Sequence, residues 1–423
     1  MTVAYRLEGT EHGSSGPAIG EVRQSWWLVA AMTFGMAVSA GSIGHYALGG
    51  FLKDIVREYH WTRGGASTGI SLFLIGLGIG IPFFGVLVDR WGPARPALAS
   101  VILFSLSLAA ISQAGGEITF LILFPVMGFL AGGTTAVPYS VAITRTFDRR
   151  RGLALGIGSA GVGLGGALLP RYAGYLIDTY DWRTGLLGLA VIVPLVAIPA
   201  ILVGLRGRAA AAPQPRDAAS SAKTQPGWRT YPFWIIVSGV FLISASVGSV
   251  LVHGIALLTD RGLDRLAAAA IVSTMASASI VGRVAGGYLM DRFFAPWVSA
   301  GFFLLAGVGI TIILLAGSNG ILWVGFILVG LTAGAEADIV IYLTTRYLSL
   351  ASIGRYTGLM ITVFTVASAV GVSALGHAFD AFGSYQPGLV ACIAGTVAAA
   401  VVIMRLGPYP AAVGDGDISA TPS

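Results

Sequence analysis

Arg283 is an arginine where arginine is costly. It sits inside a long apolar run, about eight residues, or roughly 12 Å of helix rise, from Asp291 at the end of that run. A guanidinium at the centre of a bilayer costs about 2.5–3.5 kcal/mol on insertion scales, so it should face a protein-lined aqueous space and a counter-charge. Its planar fork of donors suits two-point capture of a carboxylate better than a lysine's point charge does. Arg283 therefore reads as the anchor for a small anion, or as a structural cation paired with an acid on a neighbouring helix.

Glu336 and Asp338 stand at a similar depth, about 10 and 8 residues before Arg346. Residues two apart on a helix point about 200° from each other, so one acid faces Arg283 while the other needs a different partner or stays protonated. A carboxyl that is neutral when desolvated and ionised beside Arg283 can carry a proton; the alternative is a packing latch. His253 and Asp260 are seven residues apart and share one helix stripe. They read as a substrate donor or proton relay with its acceptor, or as a satisfied structural histidine and an end-of-helix acid. Tyr139, which follows Thr134 and Thr135 and neighbours Pro138, offers a hydroxyl to an otherwise apolar wall or packs at a helix crossing. His45 and His377 fall near helix ends and read as interfacial.

Other chemistry is excluded. The glycines from Gly156 to Gly166 lack a preceding strand or a Gly-Lys-Ser/Thr, so they mark close contact between membrane helices rather than a phosphate loop. No metal-ligand cluster, catalytic triad or pair of catalytic carboxylates can be placed, and neither an enzyme nor a cofactor is expected. The lone cysteine, Cys392, excludes an internal disulfide.

The elements that hold these residues are dictated by composition. The 423 residues are 55% hydrophobic and 10% charged, with 60 glycines and a mean hydropathy of +0.82. That leaves no room for a large soluble domain and identifies an all-α membrane protein. Twelve runs of about 20 apolar residues predict twelve spans. Six lie at 26–50, 68–88, 97–114, 119–143, 152–177 and 184–205, and six at 231–258, 266–290, 296–317, 320–347, 354–379 and 388–406. Residues 1–25 and 407–423 form tails, no secretory signal is evident, and 206–230, rich in Ala, Pro and Ser, reads as a flexible linker between two six-helix halves, 26–205 and 231–406. An even span count puts both ends on one face, which receives about 17 of the 25 Lys/Arg against about 7 opposite. That face is expected to be cytoplasmic, and the +6 net charge is a topology signal rather than a nucleic-acid footprint.

The halves echo each other. Gly85-x-x-x-Asp89-Arg90 ends span 2 and Gly287-x-x-x-Asp291-Arg292 ends span 8; Arg145 and Arg346 close spans 4 and 10. Asp89, Arg90, Asp291 and Arg292 read as a conformational latch between the halves. The segment Gly85-Val-Leu-Val-Asp89-Arg90-Trp-Gly92-Pro-Ala-Arg95 resembles the loop signature of the major facilitator superfamily. Phe51-Leu-Lys-Asp-Ile with Trp61-Thr-Arg63, and Gly334-Ala-Glu336-Ala-Asp338 with Tyr342 and Arg346-Tyr347, resemble the bacterial branch of its monocarboxylate transporter family, which includes oxalate/formate antiporters.

The resemblance implies a major facilitator fold in a bacterial inner membrane, expected as a monomer, moving small monocarboxylates such as L-lactate or pyruvate with a proton by alternating access. Arg283, Tyr139 and His253 would bind substrate, and an acid among Asp260, Glu336 and Asp338 would exchange the proton. Animal members carry an Asp one turn before the span 8 arginine, where this chain has Ser279. They also carry a lysine in span 1, for which the nearest candidates here are His45 and Lys53. Oxalate/formate relatives use a lysine in span 11, absent from 354–379, which favours a monoanion. Organic-anion exchange is the alternative, followed by export of hydrophobic compounds or a non-transporting sensor.

Overall fold

In lipid every backbone amide must find an internal partner, so long apolar runs close into helices. The computed structural model describes residues 19–147, 151–205, 229–348 and 353–409, and every regular element among them is helical. Span 1 comprises α1 (Ile19–Ala37), α2 (Ala40–Ser42) and α3 (Leu52–Tyr59), with a π turn at Ile43–Ala47 and a 3-10 turn at Leu48–Phe51 between the last two. Then come α4 (Arg63–Trp91), α5 (Ala94–Ser112), α6 (Glu117–Leu130) with α7 (Ala136–Thr146) as span 4, α8 (Arg151–Ser159) with α9 (Gly161–Thr179) as span 5, and α10 (Trp182–Gly204). The second half runs α11 (Tyr231–Asp260), α12 (Arg265–Arg292), α13 (Ala295–Leu315), α14 (Asn319–Tyr347), α15 (Ile353–Phe382) and α16 (Gln386–Ile403).

Among the described residues, eleven helical stretches are long and apolar enough to cross a bilayer. The predicted fifth span is the remaining one; its α8 and α9 join through Ala160, which keeps helical geometry. Residues 1–18 and 410–423 of the tails, nearly all of the linker and the side chains of Arg145 and Arg355 lie outside the described residues, whereas 19–25 of the predicted first tail already belong to α1. Both ends of the described chain sit on one face of the bundle, here the terminal face; the opposite one is the far face.

Polar residues mark the helix starts on the far face. Thr62, Asp181 and Asp264 cap α4, α10 and α12 by accepting from the N–H groups of Gly65, Thr184 and Ala267 at 3.0, 2.6 and 2.8 Å. At the terminal end of α4, Gly92 adopts φ +78°, the left-handed turn that a glycine allows. The second copy of the motif departs from this, ending α12 at an extended Phe293.

Each half has its own apolar core, one around Leu28, Phe73 and Phe104, the other around Ile236, Phe303 and Phe326. They meet where α4 packs along α15 and α9 along α12. Gly163 and Gly166 of α9 lie against Ala276 of α12, and Gly282, Gly330 and Gly334 abut backbone at the α12–α14 crossing, where a Cβ would collide. This close approach brings Arg283 on α12 beside Asp338 on α14.

Two predicted spans are broken in mid-membrane. Span 1 leaves helical geometry at Ser39, and span 4 passes through a 3-10 turn at Ala131–Thr134 to an extended Thr135. Gly132, Gly133 and Pro138 weaken the helix there. The breaks are stitched together: Thr134 Oγ1 accepts from the Ala40 N–H at 3.0 Å and donates to the Ala131 carbonyl at 2.7 Å. Discontinuous helices next to a cavity are a recurrent device of secondary carriers.

Candidate functional site

Arg283 shares a stripe of α12 with Ala276, Ser279 and Ile280, the residues that contact α9 of the first half. Its side chain therefore looks into the seam between the halves. Nη1 donates to Asp338 Oδ1 at 3.2 Å, and the two side chains remain 18% and 33% exposed, although Arg283 lies about 13 Å of helix rise from the terminal end of α12 and about 27 Å from its far end. The pair is thus only partly covered by protein at that depth.

The two acids of α14 divide as their spacing requires. Asp338 faces Arg283, while Glu336 points into the second half, 2% exposed, and accepts a hydrogen bond from Ser244 of α11. From the first half comes Tyr46, in the π turn of span 1. Its phenol reaches Ser279, one turn before Arg283, and lies within electrostatic range of both Arg283 and Glu336. Tyr46 was not among the sequence-derived candidates. Its neighbour His45, in the same π turn, faces the second half elsewhere, with its ring 6.5 Å from that of Phe364 on α15. His45 instead bonds the Gly41 carbonyl through Nδ1 at 3.1 Å, and its Nε2 is buried without a partner.

Three other candidates are placed elsewhere. Tyr139 packs over Gly35 of α1, 2% exposed, inside the core of the first half. His253 is fully buried: Nε2 meets the Val372 carbonyl at 3.0 Å and must donate to it, leaving Nδ1 to accept from the Tyr385 hydroxyl at 3.1 Å. Both ring nitrogens are thus used, and no face is open to a solute. Burial pushes the Tyr385 phenol up to about 12, so it remains a donor at neutral pH. Asp260 ends α11 on the far face, where it joins Lys53 at 2.6 Å and Arg63 in ion pairs across the halves. His253 and Asp260 do lie along one helix, but the stripe they share faces the far-side closure rather than Arg283.

The two faces differ. Four ion pairs between described residues cross from one half to the other, Lys53–Asp260, Arg63–Asp260, Arg265–Asp54 and Arg265–Asp178, and all four sit at far-face helix ends. On the terminal face, Asp89, Arg90, Asp291 and Arg292 are exposed, and none is in an ion pair among the described residues. Arg292 instead lies over the Tyr288 ring, 4.4 Å from its centroid. Among the described residues, the cross-half ion pairs are therefore confined to the far face.

Comparison with known proteins agrees with this architecture. Residues 27–372 match the family model of the Major Facilitator Superfamily. The chain is similar to monocarboxylate transporter 13 of Bos taurus, 26% identical over 415 residues that cover 96% of this chain and 92% of the relative. It is also similar to monocarboxylate transporter 11 of Mus musculus, 27% identical with 90% and 87% covered. Among solved structures, a bacterial homolog of the human lysosomal transporter Spinster, in an inward-facing and occupied conformation, superimposes with a TM-score of 0.68 at 16% identity, covering 90% of this chain and 96% of that one.

Proposed function

This chain belongs to the major facilitator superfamily, and from that premise we propose that it is a carrier of small monocarboxylates, of the L-lactate or pyruvate class, moving them together with a proton by alternating access. The observation that carries this reading is the Arg283–Asp338 pair at the seam between the halves. Asp338 engages a single nitrogen of a five-donor fork. A substrate carboxylate entering from the terminal side takes the remaining edge bidentately and competes with Asp338 for the cation. As Asp338 loses its counter-charge it becomes the acid that takes up the proton, which ties substrate binding to protonation. Tyr46 supplies a hydroxyl from the opposite half and the apolar walls accommodate the short aliphatic part of the substrate.

Glu336, buried against Ser244, is the second candidate for the proton. The similarity to animal monocarboxylate transporters supports the substrate class. The excess of Lys/Arg on the terminal face supports a cytoplasmic location for both tails and the linker, and hence a plasma-membrane carrier captured open to the cytoplasm.

The test is uptake of radiolabelled L-lactate and pyruvate into proteoliposomes, with and without an inward-acid proton gradient, competed by mono- and dicarboxylates. Gradient-stimulated uptake that monocarboxylates inhibit is expected. Gradient-independent exchange restricted to dicarboxylates would overturn the proposal.

A further inference from the structure

The far face holds a set of contacts that the substrate site does not use. The first turn of α4 belongs to the first half, yet two of its N–H groups are capped by the second: Arg63 N and Gly64 N donate to Asp380 Oδ1 and Oδ2 of α15 at 2.8 and 2.7 Å. The third, Gly65 N, goes to the local cap Thr62. A carboxylate at a helix N-terminus also meets the positive end of the helix dipole. The Arg63 side chain then reaches three more groups of the second half. It pairs with Asp260, donates to the Tyr385 hydroxyl at 3.2 Å, and lies over the Phe379 ring, 3.8 Å from its centroid. Tyr385 in turn donates to His253, buried directly beneath, whose Nε2 also approaches Ser67 of α4 at 3.4 Å. Gly64 is what lets the elements close this tightly, since a Cβ there would lie 2.6 Å from Asp380 Oδ2 and 2.8 Å from the His377 ring.

We propose that Asp380, by capping α4 from the opposite half, is the keystone of a far-face gate that also includes Arg63, Asp260 and Gly64. Opening the far face withdraws Asp380 from two backbone donors and separates Arg63 from its partners, so the gate favours the conformation closed on that side. Asp260 is shared by Lys53 and Arg63, so both cations of the first half must leave it when the far face opens. The inference rests on the alternating-access part of the proposed function and is independent of which solute is carried.

The test uses the full chain in lipid vesicles. Cys392 is the single cysteine and is buried, so Cys392→Ser gives a clean background for a reporter at Ser67→Cys, beneath the gate. The rate of modification by a membrane-impermeant thiol reagent added on the far side measures opening. Asp380→Ala should raise that rate about tenfold or more, as expected for losing hydrogen bonds to a charged acceptor. Gly64→Ala, a steric wedge that leaves every charge in place, should raise it in the same direction. Glu58→Gln, which breaks the Arg183–Glu58 pair on the same face but within one half, should leave it unchanged. Unchanged labelling in both Asp380→Ala and Gly64→Ala, or an equal rise in Glu58→Gln, overturns the gate. Faster labelling in a protein that fails to move lactate would retain the gate and reject the substrate class.

Discussion

Replacing Arg283 by glutamine removes the cation while keeping a polar side chain of similar reach. With 18% and 33% of the two side chains exposed, the Arg283–Asp338 pair is screened and contributes no more than about 1 kcal/mol to folding, so the variant should assemble normally. Its cost falls on binding. Two charge-assisted hydrogen bonds to a substrate carboxylate are worth about 1.5–3 kcal/mol each, and partial exposure places the sum near the lower bound, about 3 kcal/mol. That corresponds to a loss of roughly 100-fold in the specificity constant for uptake. Arg283→Lys keeps the charge but not the fork, and should lose about tenfold. The assay is initial-rate uptake of L-lactate and pyruvate into proteoliposomes under an inward-acid gradient, with apparent Tm as the folding control. Uptake by Arg283→Gln within threefold of the native rate, at unchanged Tm, would refute the assignment of Arg283 as the carboxylate anchor.

Asp338→Asn should abolish acceleration of uptake by an acid exterior while retaining substrate exchange, read from counterflow in vesicles lacking a pH gradient; retained proton stimulation would move the role to Glu336. Asp181→Ala removes the cap of α10 and should lower stability by about 1 kcal/mol at pH 7. The Thr184 backbone N–H holds the Asp181 carboxyl below its usual range, so the cap stabilises above the unfolded value near about 4 and is lost as pH falls through the folded value. The Tm difference between native and variant should therefore narrow at pH 3. Tyr385→Phe leaves His253 Nδ1 buried without a donor, at a cost of about 1–3 kcal/mol. Because the phenol titrates only near 12, that deficit should stay flat between pH 7 and 9.

Much of the architecture was legible because lipid imposes a simple rule on sequence. Apolar length set the positions of most spans, Lys/Arg asymmetry sorted the two faces, and the duplicated Gly-x-x-x-Asp-Arg motif exposed the two halves. The same rule made Arg283 conspicuous, and helix geometry alone required Glu336 and Asp338 to face different surroundings. The breaks at Ser39 and Thr135 were not legible, since hydropathy is blind to backbone geometry and glycines or prolines within a span do not by themselves say where it is interrupted.

What the chain alone determined, then, was which stretches are apolar enough to span a membrane and where along them the charged residues fall, because both are properties of local composition. Which of them meet was decided only in the folded bundle. Asp338 rather than Glu336 pairs with Arg283 because glycines let α12 and α14 approach in one rotational setting. Tyr46, in the π turn of span 1, meets Ser279 of the other half. Asp260 and Asp380 close on Arg63 from about 200 and 300 residues away. Rotation about a helix axis and contact between distant helices leave no periodic trace in sequence, and the chemistry of this protein depends on both.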